Sequence, residues 1–433
     1  MSHILREEEE SYLDPTQVDE IIDEDPNEEI MDVDDEAEDA GDADDQYEIE
    51  EEDLAGELAL AGNDIHIDEE GNLVLDMTNT SVGHFDKHGK SIFLIDSHPT
   101  LPLIISGGED EKAYLWTTNS QPPKLVAELP GQKESVVAGG FSPDGGYVVT
   151  GDMEGQVRAW KSAKRGQQWD FVGSVQEVDE ITWIVFHPKQ PFFAFGSREG
   201  SVWVMSLDDF SNVAILIGHS QPTNAAVFAN VDDMDSLTLI TVGDDAIISW
   251  NVYQSTPNYS LREHDLQGNI AWISCALSGS GKTIACGSAD GKVALINVER
   301  GTVLKVFDNT QNDSVELEER SVEALAWAPI SPILAVGNVK GDITLYDVTS
   351  WNIRKTLALK DAITAIKFIP GSNKLLSSDM AGELVKWDVL SGRELWRGHG
   401  HFDGILGFTV QDNGKRVITA GDQGVSMIFE DSS

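Results

Sequence analysis

The sequence predicts an all-β propeller of eight four-stranded blades behind a disordered acidic tail. Three observations predict it. One phrase recurs eight times along the 433 residues: a Gly or small residue, a tight turn, then alternating apolar residues that end on Trp or a substitute. A second phrase precedes each copy, an apolar strand that often closes on a Pro turn. The acidic residues, finally, crowd into the first seventy positions.

The copies run in order along the chain. Gly108-Glu109-Asp110 leads to Trp116, and Gly151-Asp152-Met153-Glu154-Gly155 leads to Trp160. Gly196 to Gly200 leads to Val204-Met205, Gly243-Asp244-Asp245 to Trp250, and Gly287 to Gly291 to Ile296. Gly337 to Gly341 leads to Tyr346, Ser378 to Gly382 to Trp387, and Gly421 to Gly424 to Phe429. Upstream strands include Val136 to Pro143, Ile181 to Pro188, Val322 to Pro329 and Ile363 to Pro370. Each repeat therefore holds about four short strands of period two, bounded by Gly, Asp and Pro turns. Repeats of roughly 40–50 residues built this way are propeller blades. The last repeat ends at Phe429-Glu430, just after its third strand, so the ring needs one strand from the other end of the chain. The alternating segment Leu73-Val74-Leu75-Asp76-Met77 is expected to supply it, which closes the ring and removes sheet edges. The propeller is thus expected over 71–433 and the tail over 1–70.

These residues resemble the WD-repeat family. Trp387-Asp388 keeps the family's dipeptide, with Trp250-Asn251 and Tyr346-Asp347 as near versions, and Gly218-His219 and Gly398-His399 keep its Gly-His element. The family's buried relay of His, Ser or Thr, Asp and Trp is matched by His88, Ser106, Asp110, Trp116 and by His219, Thr241, Asp244, Trp250. A buried polar relay must be satisfied throughout, and that requirement pins strand register. In the second blade Gln132 stands in the His position, and the fifth ends in Ile296, so those blades rely on apolar packing.

Charge narrows the functions. The formal charge is −47; residues 1–70 hold 31 Asp and Glu against Arg6 alone, leaving −17 on the rest. So acidic a tail cannot bury enough apolar surface to offset its ordering entropy. A folded part that is acidic as well argues against DNA, RNA or an anionic membrane as partner. The two cysteines, Cys275 and Cys286, form neither a disulfide framework nor a metal spacing. No apolar run approaches a membrane span and Met1 to Glu10 is no signal peptide, so an intracellular, soluble monomer is expected, cytoplasmic first and nuclear second.

Candidate chemistry has plainer explanations. Ser280-Gly281-Lys282-Thr283 ends like a phosphate loop, but Ala276 holds the place of the first Gly and the segment falls in a turn between strands. His399, His401 and Asp403 could be drawn as a metal site, but no Cys lies nearby, three or four convergent ligands are needed, and His399 is explained by the Gly-His element. Neither a metal nor a cofactor is expected, and no catalytic set can be assembled.

The acids at the blade rims carry more. In a propeller the turn before each third strand and the start of each first strand open on one face around the central channel. Glu109 and Asp422 precede the turn Asp position; Glu180 and Glu323 fall at the start of first strands; Asp361, Glu134 and Asp179 lie one step further out; Phe93 and Trp272 are nearby. A carboxylate ring with aromatics suits a basic peptide through charge-assisted hydrogen bonds and cation–π contacts.

A narrower resemblance rests on Arg416 to Ser426, on Asp76-Met77-Thr78-Asn79 followed by Phe85-Asp86-Lys87-His88, and on Leu115-Trp116-Thr117 with Ser120-Gln121-Pro122-Pro123-Lys124. Together they resemble one WD-repeat family, that of the fungal ribosome-assembly chaperone for large-subunit protein L-ten and the animal angio-associated migratory cell protein. The resemblance implies a dedicated, non-enzymatic chaperone. It would hold the basic N-terminal segment of a new large-subunit ribosomal protein on the acidic face until delivery to the pre-large subunit. The alternatives are a scaffold for a signalling complex and a chaperone of another basic client such as histones.

Overall fold

The computed structural model describes the chain from residue 78 to 431, save 269–270 and 311–314, together with the backbone of 65–67 and 73–75. Nearly all of the expected tail lies outside the described residues. Eight antiparallel sheets of four strands follow one another in sequence order. Blade one is Ile92–Ser97, Leu103–Gly108, Ala113–Thr117 and Leu125–Leu129, running from the channel outward. The inner strands contact one another in turn, and Ile405–Gln411 of blade eight returns to Ile92–Ser97 of blade one. The chain is a closed eight-bladed propeller.

Alternation explains the core. The first residue of each inner strand is packed between blades: Ile92, Val136, Thr223 and Ile363 are fully buried, as is Val322 just ahead of the sixth. Apolar clusters fill each gap between neighbouring blades, such as Leu94, Ile105, Leu115, Val136, Val148 and Trp160 between blades one and two. The recurring Gly has a steric cause. Gly155 and Gly424 turn the chain at φ 79° and 80°, and a Cβ at Gly155 would lie 1.7 Å from the Val178 carbonyl oxygen. Blade one places Glu111 there instead, at φ 62°.

Ring closure differs from the expectation. The outer strand of blade eight is Gly83–Phe85, paired with Ser426–Glu430. The expected segment forms a separate two-stranded ladder instead, Leu73–Leu75 with Ile65–Ile67. Both segments alternate, but Phe85 brings an aromatic ring that is 3% exposed and stacks on Trp116 at 4.7 Å and 3°. That packing decides between two otherwise similar strands. Blades eight and one are further tied by Ser97 Oγ to the Val410 carbonyl at 3.2 Å and Thr118 Oγ1 to Gln411 Oε1 at 2.8 Å.

The relay is present with two corrections. In blade one Trp116 Nε1 donates to Ser106 Oγ at 3.0 Å, and His88 bonds Ser106 Oγ and Asp110 Oδ1, each at 2.9 Å. In blade four the acid is Asp245, 2.7 Å from His219 Nδ1, rather than Asp244. Burial would raise the Asp245 carboxyl, but bonds from His219, Ser220 and Arg262 outweigh it and hold it far below the usual carboxylate range. In blade eight the relay histidine is His401, not His399: His401 Nε2 lies 2.7 Å from Thr419 Oγ1. Gln423 replaces the acid and donates its amide to His401 Nδ1 at 2.9 Å, which leaves the ring proton on Nε2. Gln132 of blade two does stand in for His, donating to Thr150 Oγ1 at 3.0 Å.

His401 should make the fold acid-sensitive. Burial pushes its pKa down to about 4. An unfolded imidazole binds a proton below about pH 6.5. Between these values the unfolded state holds more protons, so this contribution to stability is lost as pH falls from about 6.5 toward 4. Asp379, raised to about 6 by burial, has the opposite sign over the lower part of that window. The expected result is that His401→Gln loses less thermal stability than wild type between pH 7 and 5. Equal losses, followed by circular dichroism, would show that His401 does not set the slope.

Candidate functional site

Topology sends two sets of loops to each face. The connections into each inner strand and the second-to-third strand turns share one face; the other two sets share the opposite one. Among the described residues the first face carries twenty-three Asp and Glu against nine Lys and Arg. The opposite face carries eight against seven. The acidity of the folded part is therefore directional, and the first face is the candidate site.

A repeated hydrogen bond fixes the rim. In each blade the backbone N–H that opens the second-to-third turn donates to the carbonyl just before the inner strand begins. Glu109 donates to Ser91 at 2.9 Å, Arg198 to Glu180 at 3.2 Å and Asp422 to Gly404 at 2.9 Å. The turn residue thereby stands beside the channel mouth in every blade. Next to it lies a β-bulge. Seven inner strands skip their second residue in the pairing register, as between Ile92 and Leu94 or Ile363 and Ala365. Glu323 holds the equivalent place ahead of the remaining strand, because Ala324 pairs with Gly337 as Leu94 pairs with Gly107. Bulges free a side chain from the alternation and re-aim it.

The expected residues divide into three groups on this rim. Asp422, Glu323 and Asp361 carry no ion pair to a base among the described residues. Asp422 accepts from Ser91 Oγ at 2.6 Å, Glu323 is exposed and accepts from Ser321 Oγ at 2.8 Å, and Asp361 is exposed and accepts from the Ala362 N–H at 2.6 Å. Glu109 and Glu180 are on the rim but already neutralised, by Lys90 at 3.2 Å and Arg198 at 2.9 Å. Ser91 brings Glu109 and Asp422 together, since it accepts from the backbone of one and donates to the side chain of the other. Glu134 and Asp179 are exposed on the same face. Phe93 is a bulge residue, 40% exposed.

Trp272 is a correction. It is 1% exposed and packs with Leu266, Ile284 and Ile296 between blades four and five. It opens its inner strand and so holds the position of Ile92 and Val136, which faces a neighbouring blade. Its neighbour Ile273 is the bulge residue.

Asp244 was missed. It accepts from Asn224 Nδ2 at 2.7 Å and occupies the rim position of Glu109 and Asp422. Aligning Gly243-Asp244-Asp245 on Gly108-Glu109-Asp110 would have placed the second acid in the relay and the first on the rim. Glu383 was missed as well, but Arg397 and Lys360 both pair with it. Among the described residues no three His, Cys, Asp or Glu side chains gather as metal ligands.

A model of the WD domain, G-beta repeat, matches residues 79–117, 123–161 and 255–297. Ribosome assembly protein SQT1 of Saccharomyces cerevisiae is 35% identical over 387 residues, 84% of this chain and 89% of its own. The angio-associated migratory cell protein of Homo sapiens is 27% identical over 354 residues, 80% of this chain and 79% of its own. Among solved structures, Saccharomyces cerevisiae Sqt1 superposes with a TM-score of 0.78 at 34% identity, over 82% of this chain and 100% of that one. Chaetomium thermophilum Sqt1 bound to the N-terminus of the ribosomal protein L10 gives 0.74 at 27% identity, with coverages of 82% and 100%.

Proposed function

The chain belongs to the family of the ribosome assembly protein SQT1, and we propose on that footing that it is a dedicated, non-enzymatic chaperone of a large-subunit ribosomal protein of the L10 kind. It binds the client's basic N-terminal segment on the acidic face, keeps those cations masked, and delivers the client to the pre-large subunit in the cytoplasm. The observation that carries this reading is the charge asymmetry of the two faces, on a propeller similar to one bound to the L10 N-terminus. A ring of like charge around a channel mouth focuses the field and speeds capture of a cationic segment. Asp422, Glu323, Asp361 and Asp244 are the acceptors for client Lys and Arg, since no base among the described residues pairs with them. The acidic tail gathers the client before the rim holds it. No helix among the described residues is long and apolar enough to cross a membrane.

A pull-down at two salt concentrations, with mass spectrometry of what co-purifies, tests the reading. One basic large-subunit protein, held at low salt and lost at high salt, is expected. A set of non-basic partners indifferent to salt would replace the chaperone with a scaffold of a signalling complex. The internal ion pairs yield a second expectation. Lys90→Ala and Arg198→Ala each release a rim carboxylate from an exposed pair. Each should tighten binding of a basic client peptide, by up to about fivefold. Weaker binding in both, measured by titration calorimetry, would mean that those cations serve the client site themselves.

A further inference from the structure

The bulge ring is half polar and half apolar, and three of its four apolar residues fall in consecutive blades. In blades four and seven the bulge residue ties the ring together: Asn224 Nδ2 donates to the Trp272 carbonyl at 2.9 Å, and Thr364 Oγ1 to the Ile405 carbonyl at 2.5 Å. In the consecutive blades eight, one and two the residue is Leu406, Phe93 and Val137. These side chains have no donor for such a tie. Leu406 and Val137 remain partly exposed and Phe93 is 40% exposed. Met153, on the adjoining turn of blade two, is 42% exposed. An unbroken apolar arc therefore lies at the channel mouth, within a face that is otherwise strongly acidic. Asp422, at the blade eight end, and Glu323 of blade six carry no ion pair among the described residues.

Carboxylates alone would hold any polycation, because Coulomb attraction does not read sequence. An apolar arc inside the carboxylate ring adds a demand that a plain run of Lys or Arg cannot meet. We propose that Leu406, Phe93 and Val137 form a specificity subsite that takes one aromatic or aliphatic side chain of the client segment, while Lys or Arg residues flanking it pair with Asp422 and Glu323. The inference rests on the reading of this face as the site of a basic client, and it deepens that reading by stating what distinguishes the client from other polycations. The favourable step is removal of apolar surface from water on both sides, in a place where the surrounding charges already position the chain.

Two synthetic peptides of about twelve residues test it against the full chain. Both are rich in Arg and Lys; one carries a single central Tyr and the other Ala at that place. Fluorescence anisotropy at low salt should show wild type preferring the Tyr peptide by roughly tenfold. Phe93→Ala should erase that preference by weakening the Tyr peptide far more than the Ala peptide, and Phe93→Leu should keep most of it. Glu323→Lys should weaken both peptides alike. The proposal is overturned if Phe93→Ala weakens both peptides equally, or neither. If neither peptide binds wild type, the basic-client reading fails and the subsite falls with it. Phe93 is exposed, so its truncation should leave the thermal midpoint in place; should the midpoint fall, Leu406→Ser carries the same comparison.

Discussion

Replacing Glu323 and Asp422 by lysine together is expected to abolish binding of the basic client while leaving the propeller folded. Neither carboxylate belongs to the apolar core. Glu323 is exposed and accepts from Ser321 Oγ, and the half-buried Asp422 accepts one bond, from Ser91 Oγ, among the described residues. Each lost charge-assisted hydrogen bond is worth about 1.5–3 kcal/mol, and each new lysine adds repulsion. The double variant should therefore bind at least about 100-fold more weakly. Part of the loss should lie in the association rate, since steering depends on the field of the whole rim. Surface-based kinetics at two ionic strengths would measure this. A wild-type affinity that survives both reversals would move the client off this face. The control is Asp144→Lys on the opposite face, which should change binding little.

Removing the chain through Phe85 should have the largest effect on stability, and removing it through residue 77 should have almost none. The shorter truncation leaves every strand of the eight four-stranded blades in place. The longer one strips the outer strand of blade eight, with its ladder to Ser426–Glu430 and the Val82 N–H bond to the Ile428 carbonyl at 2.8 Å. It also removes Phe85 from its stack on Trp116. Losing a buried Phe side chain alone costs about 3–5 kcal/mol. The exposed edge of Ser426–Glu430 then becomes a template for pairing with other chains. The expected outcome is a thermal midpoint lower by about 10 °C or more, with aggregation seen by light scattering. A stable monomer after the longer cut would show that the ring closes without its N-terminal strand.

The eight-blade count was legible because each blade repeats the same local grammar. A tight Gly-rich turn, an alternating strand and a closing aromatic or aliphatic residue can all be read from short stretches of chain. The relay of blade one was legible for the same reason: His88, Ser106, Asp110 and Trp116 stand at conforming spacings. The direction of the rim acids was also readable, because alternation and turn order fix which loops share a face. Reading failed wherever two local candidates were nearly equal. Asp244 and Asp245 are adjacent acids, and only the reach of His219 chooses the second. His399 and His401 are two residues apart, and only the position of Thr419 chooses His401.

The sequence by itself thus determined the fold class, the repeat and the face that carries the rim acids, all of which depend on short-range pattern and composition. The tertiary structure decided which strand closes the ring, that Trp272 is core, and which rim carboxylates are free. The reason is physical. Closure and burial are settled by packing between segments far apart in the chain, as Phe85 meets Trp116 beside the final strand. The net charge at a rim position likewise depends on whether a cation such as Lys90 or Arg198 folds back onto it.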